Sequence, residues 1–186
     1  TGGLFAALCK ASDPAELTDV MRFSHGNDTE QATASLRLRD GDPAALNFYE
    51  SRDWVRGGTR GAMLTDAVEA YLADLARGRR SLLLAPTNAD VDSLNEMVRD
   101  HRLRHGLVDT SRQTTLSRGE DASIGDIIIT RQNTRIDGTR IVNGQLLSIE
   151  QIHDDGSLAA RDQSTGLLVT LPADYVAEHV HLGYAA

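Results

Sequence analysis

The stretch from Arg131 to Arg140 carries three arginines against one aspartate, and Asn133 and Asn143 place neutral donors in and beside it. Guanidinium groups at short intervals suit phosphate, because each stays charged and presents a planar fork of N–H donors. This local positive field belongs to a chain whose formal charge is -8. So acidic a protein does not bind nucleic acid over its whole surface, since such binding depends on displacing counterions with Lys and Arg. Any polyanion contact must be local, and Arg131, Asn133, Arg135 and Asn143 are the candidates for a phosphate-tracking edge. A solvated hairpin is the plain alternative for the same residues. Phe, Tyr and Trp make up only 4% of the chain, which argues against the base-stacking platform of the usual single-strand binder.

A second candidate lies at Thr87 and Asn88. The segment "RSLLLAPTNADVDSLN" passes from an apolar run, Leu82 to Ala85, into a helical pattern with Val91, Leu94 and Val98 on one face. Free main-chain N–H groups and the helix dipole at such a turn attract phosphate. Thr87, with Asp90 three residues on, equally resembles a capping box with Asp in place of the usual Glu.

Other residues offer less. His179 and His181 alternate on an expected strand and would face the same way, as two metal ligands do, but no Cys, Asp or Glu cluster nearby in sequence completes a shell. Asp154 and Asp155 fall in an expected turn and read as solvated. Cys9 is the only cysteine, so it forms no internal disulfide. Lys10 is the only lysine and stands in Cys-Lys-Ala. The glycine-rich loop ending in Gly-Lys-Ser/Thr that cradles phosphates in a P-loop ATPase is therefore absent. No Ser/His/Asp or Cys/His arrangement can be assembled from the sequence.

The elements that must position these residues fall into two patterns. Asp28 and Thr29 can cap a helix running toward Arg37. Asp42 can cap another, with Pro43 at the first helical position, where a missing N–H costs nothing. Leu64, Val68, Tyr71, Leu72 and Leu75 recur at helical spacing, and Gly78 closes that run. The strand Leu82 to Ala85, expected to be buried on both faces and followed directly by a helix, is the unit of a parallel α/β sheet. After Gly106 the pattern turns to period two, with turn signals at Asp137-Gly138, Asn143-Gly144, Asp155-Gly156 and Thr165-Gly166. Short strands so regularly punctuated predict a small barrel.

With 186 residues and 40% apolar content the chain can bury a real core. No run approaches the apolar length of a membrane helix, and the amino terminus lacks the pattern of a signal peptide, so no membrane partner and a cytoplasmic setting are expected. The abrupt opening "TGGLFAAL" and close "HVHLGYAA" suggest a piece of a longer protein.

Taken together, several segments resemble the helicase half of conjugative relaxases of the TraA/MobF type and, more broadly, RecD-like helicases of superfamily one. "LTDVMRF" looks like the family's fourth helicase motif, and "LLLAPTNADVDSLN" like the strand and turn that open toward single-stranded DNA. "GDIIITRQN" and "IVNGQLLSI" look like an inserted SH3-like barrel, and "HLGYAA" like the lead into the fifth motif. The resemblance implies an α/β fold: a partial RecA-like parallel sheet with helices over residues 1–110, an SH3-like β-barrel over 111–178, and a strand at 179–186 returning to the motor domain.

It also implies that Arg22 reaches the γ-phosphate of ATP across a cleft, where composition alone leaves a surface arginine paired with Asp19 or Glu16. ATP and Mg would be cofactors of the complete protein, not bound to this piece alone. The implied partners are single-stranded DNA, the remaining motor domain of the same polypeptide, and other conjugation proteins. The implied function is a fragment of an ATP-dependent DNA helicase acting in conjugative plasmid transfer and inactive alone. The alternative is a noncatalytic protein-interaction module of a transfer protein.

Overall fold

Glycine in the left-handed conformation closes both long helices of this chain. Helix α4 (Arg60–Ala76) is capped by the Thr59 hydroxyl, which accepts from Ala62 N–H, and ends at Gly78 with φ of +70°. There Gly78 N–H donates to Leu75 O and Arg79 N–H to Asp74 O, both at 2.9 Å, the paired bonds of a Schellman stop. Helix α5 (Asn88–Arg104) ends the same way at Gly106, with Leu107 N–H donating to Arg102 O at 2.9 Å.

The structure is a computed structural model and describes residues 3–12, 29–79 and 81–186. The chain divides into two units, Thr1–Gly57 and Gly58–Ala186. The expected boundary near Ser111 falls inside the second.

The first unit holds α1 (Gly3–Ala11), α2 (Thr29–Arg39) and α3 (Leu46–Glu50), with a 3-10 turn over Pro43–Ala45 leading into α3. Asp42 caps that turn through Ala44 N–H at 2.9 Å, and its other oxygen takes the Arg37 Nε–H at 2.8 Å. The Ala44 amide and then the Arg37 guanidinium hold its carboxyl below the usual range. Ala34 and Ala45 are buried where α2 meets the turn. Phe48, Tyr49 and Trp54 cluster edge to face, and Arg52 lies 3.7 Å over the Phe48 ring while pairing with Glu30.

In the second unit α4 and α5 share one core with an antiparallel sheet. Its strands are β3 (Ile127–Thr130), β6 (Leu146–Ile152), β7 (Leu158–Asp162), β8 (Leu168–Leu171) and β9 (Val180–Leu182). Their order is β8-β7-β6-β3-β9, every neighbour antiparallel. Two ribbons flank it: β1 (Asp109–Thr115) with β2 (Asp121–Ile124), and β4 (Thr134–Ile136) with β5 (Thr139–Ile141). A short helix, α6 (Ala173–His179), precedes β9. Val68, Tyr71, Leu94 and Val98 of the helices join Ile128, Leu147, Leu158 and Val180 of the sheet in one buried cluster.

The fold is thus mixed α/β, and three expectations change. The sheet is open, because β8 and β9 are its two edges and do not meet. Instead of closing a barrel, the chain after β9 runs on to pair with Leu83. That pairing is the one parallel contact among the described residues, a bridge from Leu83 to Ala185 carried by Ala85 N–H to Ala186 O and Ala186 N–H to Leu83 O, so no extended parallel sheet forms there. Third, the run Leu82 to Ala85 is buried on one face only: Leu83 is 8% exposed, whereas Leu82 is 75% and Leu84 69% exposed. Core packing takes up the Leu83 side alone, and period two turns its neighbours outward.

The chain end is locked to α5 by polar contacts. Asn95, buried at 3% exposure, accepts with Oδ1 from Tyr184 N–H at 2.9 Å and Ala185 N–H at 2.8 Å. Fully buried Asp126 accepts from Arg99 Nε–H at 2.9 Å, Ser123 N–H at 2.8 Å and the Tyr184 hydroxyl at 2.6 Å. Burial and then the Asp126 carboxylate push the Tyr184 hydroxyl pKa well up. Removing either partner of the Arg99–Asp126 pair leaves the other without its countercharge, a loss of up to about 3–5 kcal/mol.

Candidate nucleic-acid interface

The hairpin β4–β5 is built by its two-residue turn. Asp137 and Gly138 have φ of 47° and 81°, the doubly positive pattern of a type I′ turn, whose twist matches that of paired strands. Aspartate tolerates the left-handed region and glycine adopts it without cost. The turn fixes the register: Ile136 opposes Thr139, Arg135 opposes Arg140, and Thr134 opposes Ile141. Alternation then sends Ile136 and fully buried Ile141 toward the core, and Arg135 and Arg140 to the other face, both exposed.

The base of the hairpin is bolted by side chains. Asn133 Oδ1 accepts from Asn143 N–H at 2.8 Å. Buried Thr130 donates its hydroxyl to Val142 O at 2.6 Å and accepts from Gln145 N–H at 3.1 Å. Gln145 in turn accepts from Val142 N–H and donates to Asp162. Burial alone would raise the Asp162 pKa, but donors from Ser164, Thr165 and Gln145 outweigh it and hold the carboxyl well below its usual range. Asn133 therefore acts here as a strut through its oxygen, and Asn143 through its main chain.

Arg131 sits just before this base. Its N–H donates to His179 O at 2.8 Å, and its Nε–H to His181 Nδ1 at 3.3 Å. Arginine can only donate, so His181 is the neutral tautomer that accepts at Nδ1. Burial first, and then the Arg118 and Arg131 charges, lower its pKa to about 4. His179 closes α6 and only His181 lies on β9, so the expected pairing of the two on one strand does not occur. Among the described residues no three His, Cys, Asp or Glu side chains are grouped to hold a metal ion.

Thr87 is the N-cap of α5. Its hydroxyl accepts from Asp90 N–H at 3.1 Å and donates to Asp90 Oδ2 at 2.6 Å, while Arg60 Nε–H donates to the other Asp90 oxygen at 2.6 Å. Those two partners, Thr87 before Arg60, lower the Asp90 pKa. The hydroxyl has no donor left for a ligand, and a carboxylate stands beside the free N–H groups. Exposed Asn88 begins the helix.

The structure brings Arg131, Asn133, Arg135 and Asn143 together at one hairpin. No hydrogen bond or ion pair among the described residues joins Thr87 or Asn88 to it. Arg22 lies outside the described residues. Arg140 is the residue that sequence reasoning counted in the field without singling it out; the Asp-Gly turn two residues from each arginine is the signal that sets it opposite Arg135. A cavity of about 410 Å³ elsewhere in the second unit is lined by Asp92, Glu96, Asp100, Glu120 and Asp121, with Arg99, and so repels a polyanion.

Residues 1–60 match the model of a family described as an AAA domain, which covers a minority of the chain and includes Arg22. No curated protein matches the chain. Among the described residues no helix is long and apolar enough to cross a membrane.

Proposed function

We propose that the chain is part of an ATP-dependent DNA helicase, a RecD-like motor of the kind found in TraA/MobF conjugative relaxases. It would contribute a partial RecA-like layer with an SH3-like insertion. The observation that carries this reading is the AAA-domain match over residues 1–60, the segment that contains Arg22. The parallel pairing of Leu83 with Ala185, followed by the capped helix α5, supports it as the start of a nucleotide-binding type of layer.

In this reading Arg22 senses the γ-phosphate, because a guanidinium at the transferring group stabilises the charge that develops there. ATP and Mg would be held by the complete protein, to whose cleft this chain would contribute Arg22. Arg131 and Arg135 contact single-stranded DNA phosphates. Thr87 and Asn88 offer main-chain N–H groups to the same strand. The setting would be cytoplasmic, with the remaining motor domain and other conjugation proteins as partners.

The test is DNA-stimulated ATP turnover by the full-length polypeptide carrying Arg22→Ala. Turnover should fall by about 10³-fold or more. An unchanged rate would remove Arg22 from the cleft, whereas absence of DNA-stimulated turnover in the wild-type polypeptide would remove the motor reading.

One observation favours a second reading, a noncatalytic docking module. Leu82 and Leu84, neighbours in the second unit, are 75% and 69% exposed, which suits apolar contact with a transfer protein. Loss of ATP turnover in the full-length Arg22→Ala polypeptide would exclude this alternative.

A further inference from the structure

We propose that Arg135 and Arg140 form one phosphate-binding site for the backbone of single-stranded nucleic acid. This rests on the DNA contact proposed above for Arg131 and Arg135 and adds Arg140 as its second arm.

The argument begins with repulsion. Residues directly opposite on an antiparallel pair have Cβ atoms about 4.5–5.5 Å apart, and like charges there are destabilising. The type I′ turn leaves the hairpin no register in which Arg135 and Arg140 avoid each other. Neither has an ion pair or side-chain hydrogen bond among the described residues. Acidic side chains outnumber basic ones 27 to 19 in this chain, so carboxylates are not scarce. Arg60, Arg99, Arg112, Arg118 and Arg161 of the same unit each have one. The two facing arginines are a pair of cations in register, with no carboxylate paired to either among the described residues.

Their support is firm. Ile141 of β5 is fully buried on the hairpin's inner face, and Asn133, Thr130 and Gln145 tie its base. The fixed frame spares the cost of ordering the main chain, while the two exposed side chains still give up rotamer freedom when an anion settles between them. The chemistry they recognise is two adjacent negative charges with oxygen acceptors. Successive phosphodiesters of a flexible strand supply these, and so does one phosphate dianion. The strand is favoured because Arg131 extends the positive field along the same segment. With no aromatic residue in the hairpin, recognition stops at the backbone and shows no base preference.

The experiment is fluorescence anisotropy of a labelled oligo(dT) with the 186-residue chain, over a range of KCl and without ATP. Arg135→Gln and Arg140→Gln should each reduce the slope of log K against log[KCl] by about 0.7, and the double variant by about 1.4. Arg140→Lys, which keeps the charge, should keep the slope. Arg112→Gln, whose partner is Asp154, should leave the slope as it is. An unchanged slope in Arg140→Gln overturns the proposal, as does a loss in Arg140→Lys equal to that in Arg140→Gln. Failure of the wild-type chain to bind the oligonucleotide overturns it too. Displacement of the oligonucleotide by millimolar inorganic phosphate at matched ionic strength would point to a phosphate-dianion site and overturn the assignment to a strand. Because no ATP is present, failure here leaves the Arg22 test standing, and failure of Arg22 leaves this site standing.

Discussion

Asn95 on α5 holds Tyr184 and Ala185 by a single oxygen, which accepts from both main-chain N–H groups at 2.9 and 2.8 Å. Its amide also donates to Leu182 O at 3.4 Å. Asn95→Ala strips the partner from two donors in a buried place. Leaving such groups unmet costs about 1–3 kcal/mol each, so stability to urea should fall by at least about 2 kcal/mol. A loss below about 0.5 kcal/mol would mean that the chain end finds other partners.

Gly183 predicts a steric effect. A Cβ there would lie 2.7 Å from Ile128 C and 2.9 Å from Ile129 N, both main-chain atoms of β3. Gly183→Ala should therefore destabilise by about 1–3 kcal/mol, in the range of overpacked cores. Gly61, in α4, has nothing within 4 Å of the same position. Gly61→Ala should stabilise by up to about 1 kcal/mol. Thermal melts of the two variants must move in opposite directions.

His181 predicts a dependence on pH. Its folded pKa of about 4 lies below the ordinary value of about 6.5. Between the two the unfolded chain holds a proton that the folded chain lacks, so acid favours unfolding. The contribution is complete above about pH 6.5 and is lost as pH falls toward 4. Burial and the Arg118 and Arg131 charges disfavour the imidazolium, and only Asp92 opposes them. The drop in urea midpoint between pH 7.5 and 5 should be smaller in His181→Gln than in the wild type. Equal drops would show that His181 protonates freely in the folded state.

At the start of α5 the cap and the DNA contact can be separated. Thr87→Ala should cost about 1 kcal/mol of stability, since it removes an N-cap. It should leave single-strand affinity nearly unchanged, because the hydroxyl is already occupied by Asp90. Asp90→Asn instead removes a negative charge beside the free N–H groups and should tighten binding at low salt. If Asp90→Asn has no effect on oligonucleotide affinity, the strand does not pass Thr87 and Asn88.

Local signals in the sequence carried far into the structure. Gly78 closes α4, Thr87 caps α5, Asp42 caps the turn at Pro43, and Asp137-Gly138 makes a hairpin. Each depends on a residue acting within a few positions of itself. What was not legible depends on distant partners. "SLLLA" reads as a strand buried on both faces, yet only Leu83 has core against it, because burial is decided by what the rest of the chain brings to each face. Closure of a barrel requires β8 to meet β9, and no short-range pattern shows that the chain past β9 pairs with Leu83 instead. His179 reads as strand but ends a helix, since Pro172 starts a turn of structure too short for periodicity to reveal. The arginine field was visible as composition; the opposition of Arg135 and Arg140 follows only once the turn type sets the register.

The grip on α5 has a mechanical meaning. Antiparallel strands and their ribbons seize this helix at successive turns: Asp92 through Arg118, Asn95 through the chain end, Arg99 through Asp126, and Arg102 through Gly125 O. The arrangement is a wrench closed on a shaft. The helix is held along its length and not at one tether, so no single broken contact frees it from the strand-rich body.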